Sequence, residues 1–277
     1  MLINKTITFL GAGAMAEAII AGLVRHQIVK PKQIIATNLR DKEKLTYLET
    51  TYGIQTNSNR GEAVSRGDII ILAMKPKHVK EAIEDVQKMT NVQQLFVSVL
   101  AGIPTTYIEE LLGNKACVIR TMPNTSAKVG ESATAISKGT YATDDQVNEV
   151  NALFSAVGNV TIVDEQKLDA VTGLAGSGPA YFYFLIEAME KAAEAAGLTE
   201  EEASGLITQT VVGVGKRLQS SSKSSRELYE EVMSPNGTTE AGINVLRERK
   251  TQEAMTAAVT KAISRSKELG KVFIKSK

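Results

Sequence analysis

Between residues 7 and 120, short apolar runs alternate with helical patterns, and this alternation restricts the chain to few folds. Residues 7–10, 34–36, 68–73, 96–100 and 117–120 are rich in Ile and Val and nearly continuous in apolarity. A strand covered on both faces reads this way. Between the runs, residues such as Met15, Ala18, Ile19, Gly22 and Leu23 recur at three- and four-residue spacing, the stripe of an amphipathic helix. Strand–helix–strand repetition with right-handed crossovers predicts an α/β fold with a doubly wound parallel sheet. Two more strands, over 133–136 and 160–163, close this part of the chain around a helix over 144–157.

After residue 163 the strand-like runs stop, so the division expected is 1–163 and an all-helical 164–277. Ser177-Gly178-Pro179 opens a helix, with Ser177 as cap and Pro179 near the first position, and Gly197 stops it. Thr199-Glu200-Glu201-Glu202 is a capping box for a helix reaching about Leu218. Ser224 caps a short helix ending near Met233, the turn Ser234-Pro235-Asn236-Gly237 leads into another, and a last helix spans 252–269. The segment Ala180-Tyr181-Phe182-Tyr183-Phe184-Leu185-Ile186 is apolar nearly all round and must be covered on most sides. About 110 helical residues offer little core for it. Packing against a second copy of the chain is the preferred reading, and burial against the first domain is the other.

The first turn carries chemistry. Gly11-Ala12-Gly13-Ala14-Met15-Ala16 follows a strand and opens a helix. Gly11 permits a tight turn, Gly13 admits a pyrophosphate to the backbone, and small Ala16 lets helix and strand pack closely. Free amides at the helix start, from Ala14 and Met15 onward, then face the phosphates. The string alone is weak evidence; between a strand and a helix it is strong evidence for a dinucleotide. The second strand runs into Thr37-Asn38-Leu39-Arg40, with no acid before Asp41 to claim ribose hydroxyls. Asn38 can donate to a 2′-phosphate and Arg40 can pair with it in fork geometry, so NADP(H) is favoured over NAD(H). Arg40 could instead be a solvated charge beside a helix start, a poor place for a cation. Ala73-Met74-Lys75-Pro76 ends another strand at the carboxyl edge, where backbone contacts to a cofactor are expected. Lys75 reads equally as a solvated or phosphate-facing charge and as a proton donor.

Composition narrows the class. With 43% hydrophobic and 23% charged residues and a formal net charge of +1, the chain is an ordinary globular one. It lacks the one-signed field of a nucleic-acid binder. No signal-peptide or membrane-spanning apolar stretch is evident, so a cytoplasmic protein without membrane attachment is expected. The single cysteine, Cys117, reads as a buried strand residue. The two histidines, His26 and His78, have no acidic partner in a triad-like pattern and read as surface residues. No grouping has metal-ligand spacing. An alcohol dehydrogenase needs a general base, and none is evident; reduction of a protonated carbon–nitrogen double bond asks for less.

At this point the residues carry a resemblance. Ala73-Met74-Lys75-Pro76, Met122-Pro123-Asn124-Thr125, Val171-Thr172-Gly173-Leu174-Ala175-Gly176-Ser177-Gly178-Pro179-Ala180-Tyr181 and Ser234-Pro235-Asn236-Gly237-Thr238-Thr239-Glu240-Ala241-Gly242-Ile243 lie in one order across most of the chain. Together they resemble the signature of the pyrroline-5-carboxylate reductase family, which completes proline biosynthesis. The resemblance implies a Rossmann domain followed by helices that interlock in a homodimer, which can assemble further. It implies that the Thr239 hydroxyl hydrogen-bonds the substrate's ring nitrogen. The N–H groups of Gly237, Thr238 and Thr239 would hold the substrate carboxylate at a helix start. Asn59 would lie near the adenosine ribose phosphate and Ala101 by the nicotinamide. Two positions depart from the pattern: Met233 stands where a small residue is usual and Arg247 where an acidic or amide residue is usual. Read singly, Thr239 is more often an N-cap than a catalyst. The rival functions are another NADP-dependent imine or hydroxy-acid oxidoreductase, and an NADP-sensing regulator without turnover.

Overall fold

A computed structural model describes residues 2–273. The chain divides into two compact units: one runs through Pro179 and includes the stretch from Lys261 onward, the other is Ala180–Thr260. The first unit contains an eight-stranded sheet: β1 (Ile7–Leu10), β2 (Ile34–Thr37), β3 (Gln55–Thr56), β4 (Ile69–Leu72), β5 (Leu95–Ser98), β6 (Cys117–Met122), β7 (Ser132–Lys138) and β8 (Gly158–Ile162). Their spatial order is β3-β2-β1-β4-β5-β6-β7-β8. The chain reverses direction across the sheet between β1 and β4, the crevice where doubly wound sheets bind ligands. In register, Phe9 of β1 lies beside Ala36 of β2 and Ile71 of β4.

The apolar continuity of these strands has a direct cause. Ile7, Phe9, Ile69, Ile71, Leu95 and Val97 point to one face and join Ile19, Ile20, Leu23 and Phe154 in one core. Leu10, Ile70, Leu72 and Phe96 point to the other face, where Ile83 and Ile108 cover them. Side chains alternate faces along a strand, so two buried faces require apolar residues at nearly every position. Thr8 is fully buried as well, and its hydroxyl donates to the Ala63 carbonyl at 3.0 Å.

Three details of the sheet differ from the sequence reading. β7 pairs antiparallel with β6, although every other pairing is parallel. The reversal is reached through a short connection, Pro123 to Glu131, too short to carry a crossover helix. β3 went unread because two residues give no periodicity. Cys117 is half-buried rather than enclosed, and its thiol donates to the Tyr141 carbonyl at 3.3 Å.

From Leu168 the chain is helical, and it passes through one π-turn, Thr172–Gly176, before the helix Gly178–Ala195. Ser177 adopts helical dihedrals and donates its N–H to the Thr172 carbonyl, so it continues the helix instead of capping it. The helices Glu200–Ser220 and Ser225–Val232 begin with complete capping boxes at Thr199 and Ser224. The Thr199 backbone N–H and hydroxyl hold the Glu202 carboxyl below its ordinary pKa. The helices Thr238–Glu248 and Thr251–Lys271 follow. Within Ala180–Thr260 only Ala203 and Ile207 are buried among the apolar residues.

Candidate functional site

The turn after β1 shows why its residues are what they are. Gly11 has φ +107°, and a Cβ there would sit 2.7 Å from the Ala73 carbonyl oxygen. Both facts demand glycine, because β1 and β4 end side by side at this point. Gly13 is the extended N-cap of the helix Ala14–Arg25, and no side chain caps it. The first-turn amides of Ala14, Met15 and Ala16 therefore lack helical partners and face outward at the positive end of the helix dipole. Such a cradle fits a pyrophosphate.

A cleft of about 380 Å³ opens at this edge, lined among others by Gly11, Gly13, Asn38, Arg40, Ala73, Met74 and Lys75. It thus brings together the residues that end β1, β2 and β4. It also recruits Arg60, Lys77 and His78, which the sequence reading did not assign to the cofactor. The signal for them was their sequence position just beyond β3 and β4. His78 lies in the cleft wall with its side chain 40% exposed and its Nδ1 3.8 Å from Glu81, a neighbour one turn along the chain and not a triad partner. Asn38 spends its amide oxygen on the N–H groups of Arg40 and Asp41, both at 3.2 Å, which leaves its NH₂ free to donate. Asp41 caps the helix Lys42–Tyr52, so Arg40 lies just before that helix start. Arg60 is already paired with Asp85 at 2.9 Å, and the other cations, Arg40, Lys75 and Lys77, still outnumber the single carboxylate in the lining, Glu81. An anionic ligand is favoured there.

Not every expected contact lines this cleft. Asn59 caps the helix Arg60–Ser65 by accepting from the Glu62 N–H at 3.1 Å, and Arg60 beside it reaches the cleft instead. Ala16 is buried under the turn, as its packing role requires. Ala101 is half-buried in the loop after β5. A larger cleft of about 1010 Å³ lies elsewhere in this unit. Its cations are already matched: Lys138 with Asp144 at 2.5 Å, Lys167 with Asp164 at 2.8 Å, Arg120 with Glu165 at 3.4 Å.

In the helical unit, the turn Ser234–Gly237 ends at the helix Thr238–Glu248. Asn236 takes φ +58°, and Gly237 is the N-cap; a Cβ on Gly237 would meet Ser234 Oγ. The Gly237 N–H donates to the Ser234 carbonyl at 2.9 Å, and the Asn236 N–H to Glu240 Oε2 at 2.7 Å. The Gly237 amide is therefore committed to the turn, a correction to its expected role on a substrate carboxylate. Thr238 and Thr239, in the first helical turn, keep amides without helical partners. Because Gly237 does the capping, the half-buried Thr239 is not an N-cap. Met233 closes the preceding helix as its extended C-cap, at the entry to this turn.

Among the described residues no cluster of three or more His, Cys, Asp or Glu could hold a metal, and no helix is long and apolar enough to cross a membrane. The doubly wound sheet, glycine turn and basic cleft at the switch point define a dinucleotide-dependent oxidoreductase. Comparison with known proteins carries this further. Residues 165–269 match the family described as pyrroline-5-carboxylate reductase dimerisation, and residues 6–102 match NADP oxidoreductase, coenzyme F420-dependent. Pyrroline-5-carboxylate reductase 2 of Bacillus subtilis is 43% identical over 269 residues, covering 97% of this chain and 96% of the relative. The structure of a pyrroline-5-carboxylate reductase from Coxiella burnetii superposes with a TM-score of 0.89 at 35% identity, covering 96% of this chain and 98% of that one. The Plasmodium falciparum pyrroline carboxylate reductase with NADP bound gives a TM-score of 0.88 at 25% identity, covering 96% and 98%. The chain belongs to the pyrroline-5-carboxylate reductase family.

Proposed function

We propose that this protein reduces 1-pyrroline-5-carboxylate to L-proline with NADPH, as the names of its relatives indicate for them. The observation that carries the reading is that the chain holds two prepared helix starts: an uncapped one beside a basic cleft, and one at Thr238–Thr239 behind a glycine N-cap. When bound, NADPH supplies the hydride that adds to C5 of the ring. The amides of Ala14, Met15 and Ala16 hold the pyrophosphate, and Arg40 with the Asn38 NH₂ holds the 2′-phosphate. Ala73, Met74, Lys75 and Pro76 supply backbone and charge along the cleft wall, Asn59 lies toward the adenosine ribose, and Ala101 toward the nicotinamide.

The Thr238 and Thr239 amides bind the substrate carboxylate, which the helix dipole favours. The Thr239 hydroxyl hydrogen-bonds the ring nitrogen and so orients and polarises the imine. The imine is reduced in its protonated form, in which C5 is already electrophilic, and no strong general base is needed. By role, residues 1–163 serve the cofactor and 164–277 the substrate and dimerisation, a division that differs from the compact units, which group the chain through Pro179 and from Lys261 onward with the sheet. The enzyme works in the cytoplasm as a homodimer or a larger homo-oligomer, without nucleic acid.

The test is NADPH oxidation by the purified protein with pyrroline-5-carboxylate, then with other cyclic imines and 2-keto acids. Turnover confined to pyrroline-5-carboxylate with one proline formed per NADPH is expected. Turnover with a different imine or keto acid alone, or cofactor binding without turnover on any of them, rejects the assignment.

A further inference from the structure

The end of the last helix packs on the sheet-bearing unit through one face. Ile263, Ser266 and Gly270 recur at three- and four-residue spacing and so share a side of the helix Thr251–Lys271. Each makes a close, specific contact. Ile263 lies against Gly173 in the π-turn, so closely that a Cβ on Gly173 would be 2.5 Å from Ile263 Cγ1 and 2.8 Å from its backbone nitrogen. Ser266 is buried, and its hydroxyl donates to Asp169 Oδ1 at 2.6 Å. Gly270 lies on the backbone of Gly102, and a Cβ there would sit 2.8 Å from the Gly102 carbonyl oxygen. Just beyond the helix, the Phe273 ring packs on Tyr107 with centroids 5.1 Å apart.

The Gly102 end of this seam matters chemically. Gly102 has φ +76° and, with Ala101, forms the loop at the carboxyl edge of β5. A dinucleotide laid across the crevice with its pyrophosphate at Gly11–Ala16 and its 2′-phosphate at Arg40 directs its other end toward β4 and β5. The loop Ala101–Gly102 then borders the reacting ring. It has no helix of its own until Thr105. Gly270 packs directly against it.

We propose that the last turns of the C-terminal helix are a strap that sets the Ala101–Gly102 loop for hydride transfer, with Gly270 and Ser266 as positioning residues. Glycine at 270 lets the helix backbone seat directly on the Gly102 carbonyl. The Ser266–Asp169 hydrogen bond fixes the rotation and height of the helix one turn earlier. Reactions that depend on near-attack geometry lose rate steeply when a supporting segment shifts by a fraction of an ångström to an ångström. The inference rests on the reading of Ala101 as the nicotinamide end of the cofactor site.

The test uses the full-length enzyme with NADPH and pyrroline-5-carboxylate. Gly270→Val should lower kcat about tenfold and raise the primary deuterium isotope effect from 4-deuterated NADPH. NADPH binding, read by fluorescence titration, should stay within about twofold, since the pyrophosphate and 2′-phosphate contacts are untouched. Ser266→Ala should act in the same direction and more weakly, and Ser266→Thr, which keeps the hydroxyl, should restore the wild-type values. Unchanged kinetics in Gly270→Val overturn the strap. So does a loss of activity that follows a drop in Tm with no change in isotope effect. Ala101→Leu separates the two layers of the argument. If it slows hydride transfer while Gly270→Val does not, only the strap fails; if it is silent, the nicotinamide reading fails and takes the strap with it.

Discussion

In the sheet-bearing unit Phe9, Phe96 and Phe154 are enclosed, whereas in the helical unit Phe182, Tyr183 and Phe184 stand 63, 66 and 74% exposed. The two regions obey the same physics with different means. A sheet with helices on both faces closes two cores by itself, and its strands can be apolar at every position. The helices of Ala180–Thr260 carry apolar residues of similar size, yet among them only Ala203 and Ile207 reach burial. An exposed apolar surface of that extent marks an interaction face. The match of residues 165–269 to a dimerisation family names what kind of face it is. The sheet-bearing region thus closes its own cores within one chain, while the helical region carries the exposed face of a dimerisation family.

That contrast can be broken most severely at Phe184, 74% exposed at the middle of the apolar helix. Phe184→Glu should give monomers in sedimentation velocity and cost activity about a hundredfold or more, as loss of a central aromatic anchor does. Monomers with full activity would show that the helical unit needs no partner. Next in size is Gly11→Val, which forces a side chain into the Ala73 carbonyl and an unfavourable φ. The strain of about 1–3 kcal/mol should appear as a lower Tm and NADPH binding weakened about tenfold to a hundredfold, with the oligomer intact. A dissociated oligomer would mean that the regions are coupled in a way the comparison omits.

Smaller still is Arg40→Ala. Losing one charge-assisted contact to a 2′-phosphate should raise the KM for NADPH about tenfold and leave the KM for NADH nearly unchanged. Equal effects on both would place Arg40 off the 2′-phosphate. The smallest effect concerns Glu17, on the helix that follows the glycine turn. Burial pushes its carboxyl up, but hydrogen bonds from Lys44 and Tyr47, the Lys44 charge and the Tyr52 hydroxyl hold it, on balance, below the ordinary 4.5. Because the folded pKa lies below the unfolded one, its stabilisation is present above that value and is lost as pH falls through the folded pKa. Glu17→Gln should therefore lower Tm at neutral pH by about 2 °C and shrink the fall in Tm on acidification. An acid-side profile unchanged by the substitution would show that the pair contributes nothing there. Tyr52 answers in the opposite sense: burial and the same carboxylate push its phenol up to about 12.

Much of this was legible in the residues because each signal was local. The capping boxes at Thr199 and Ser224 fall where Thr-x-x-Glu and Ser-x-x-Glu stand in the sequence. The glycine turn was legible for the same reason. What could not be read depends on how distant segments meet. Whether β7 runs with or against β6 leaves no trace in apolarity, since a strand buried on both faces looks alike in either direction. Arg60 enters the cofactor cleft from the start of the helix Arg60–Ser65, and Lys77 and His78 from the single turn after β4, two segments that only the sheet order brings together. Ser177 resembles a cap in sequence, but the π-turn carries the helix through it. The Gly237 amide looked available until the turn closed on Ser234.

The central claim is a division of labour, with NADPH held by the sheet-bearing unit and the imine handled at Thr239 in the helical one. Steady-state kinetics with pyrroline-5-carboxylate and NADPH titration, measured on one preparation of Thr239→Ala, test it directly. The account predicts a fall in kcat/KM for pyrroline-5-carboxylate of about tenfold to a hundredfold, the scale of one hydrogen bond to a charged group, with NADPH affinity within about twofold of wild type. Unchanged kinetics, or a loss of NADPH binding equal to the loss of turnover, would contradict it.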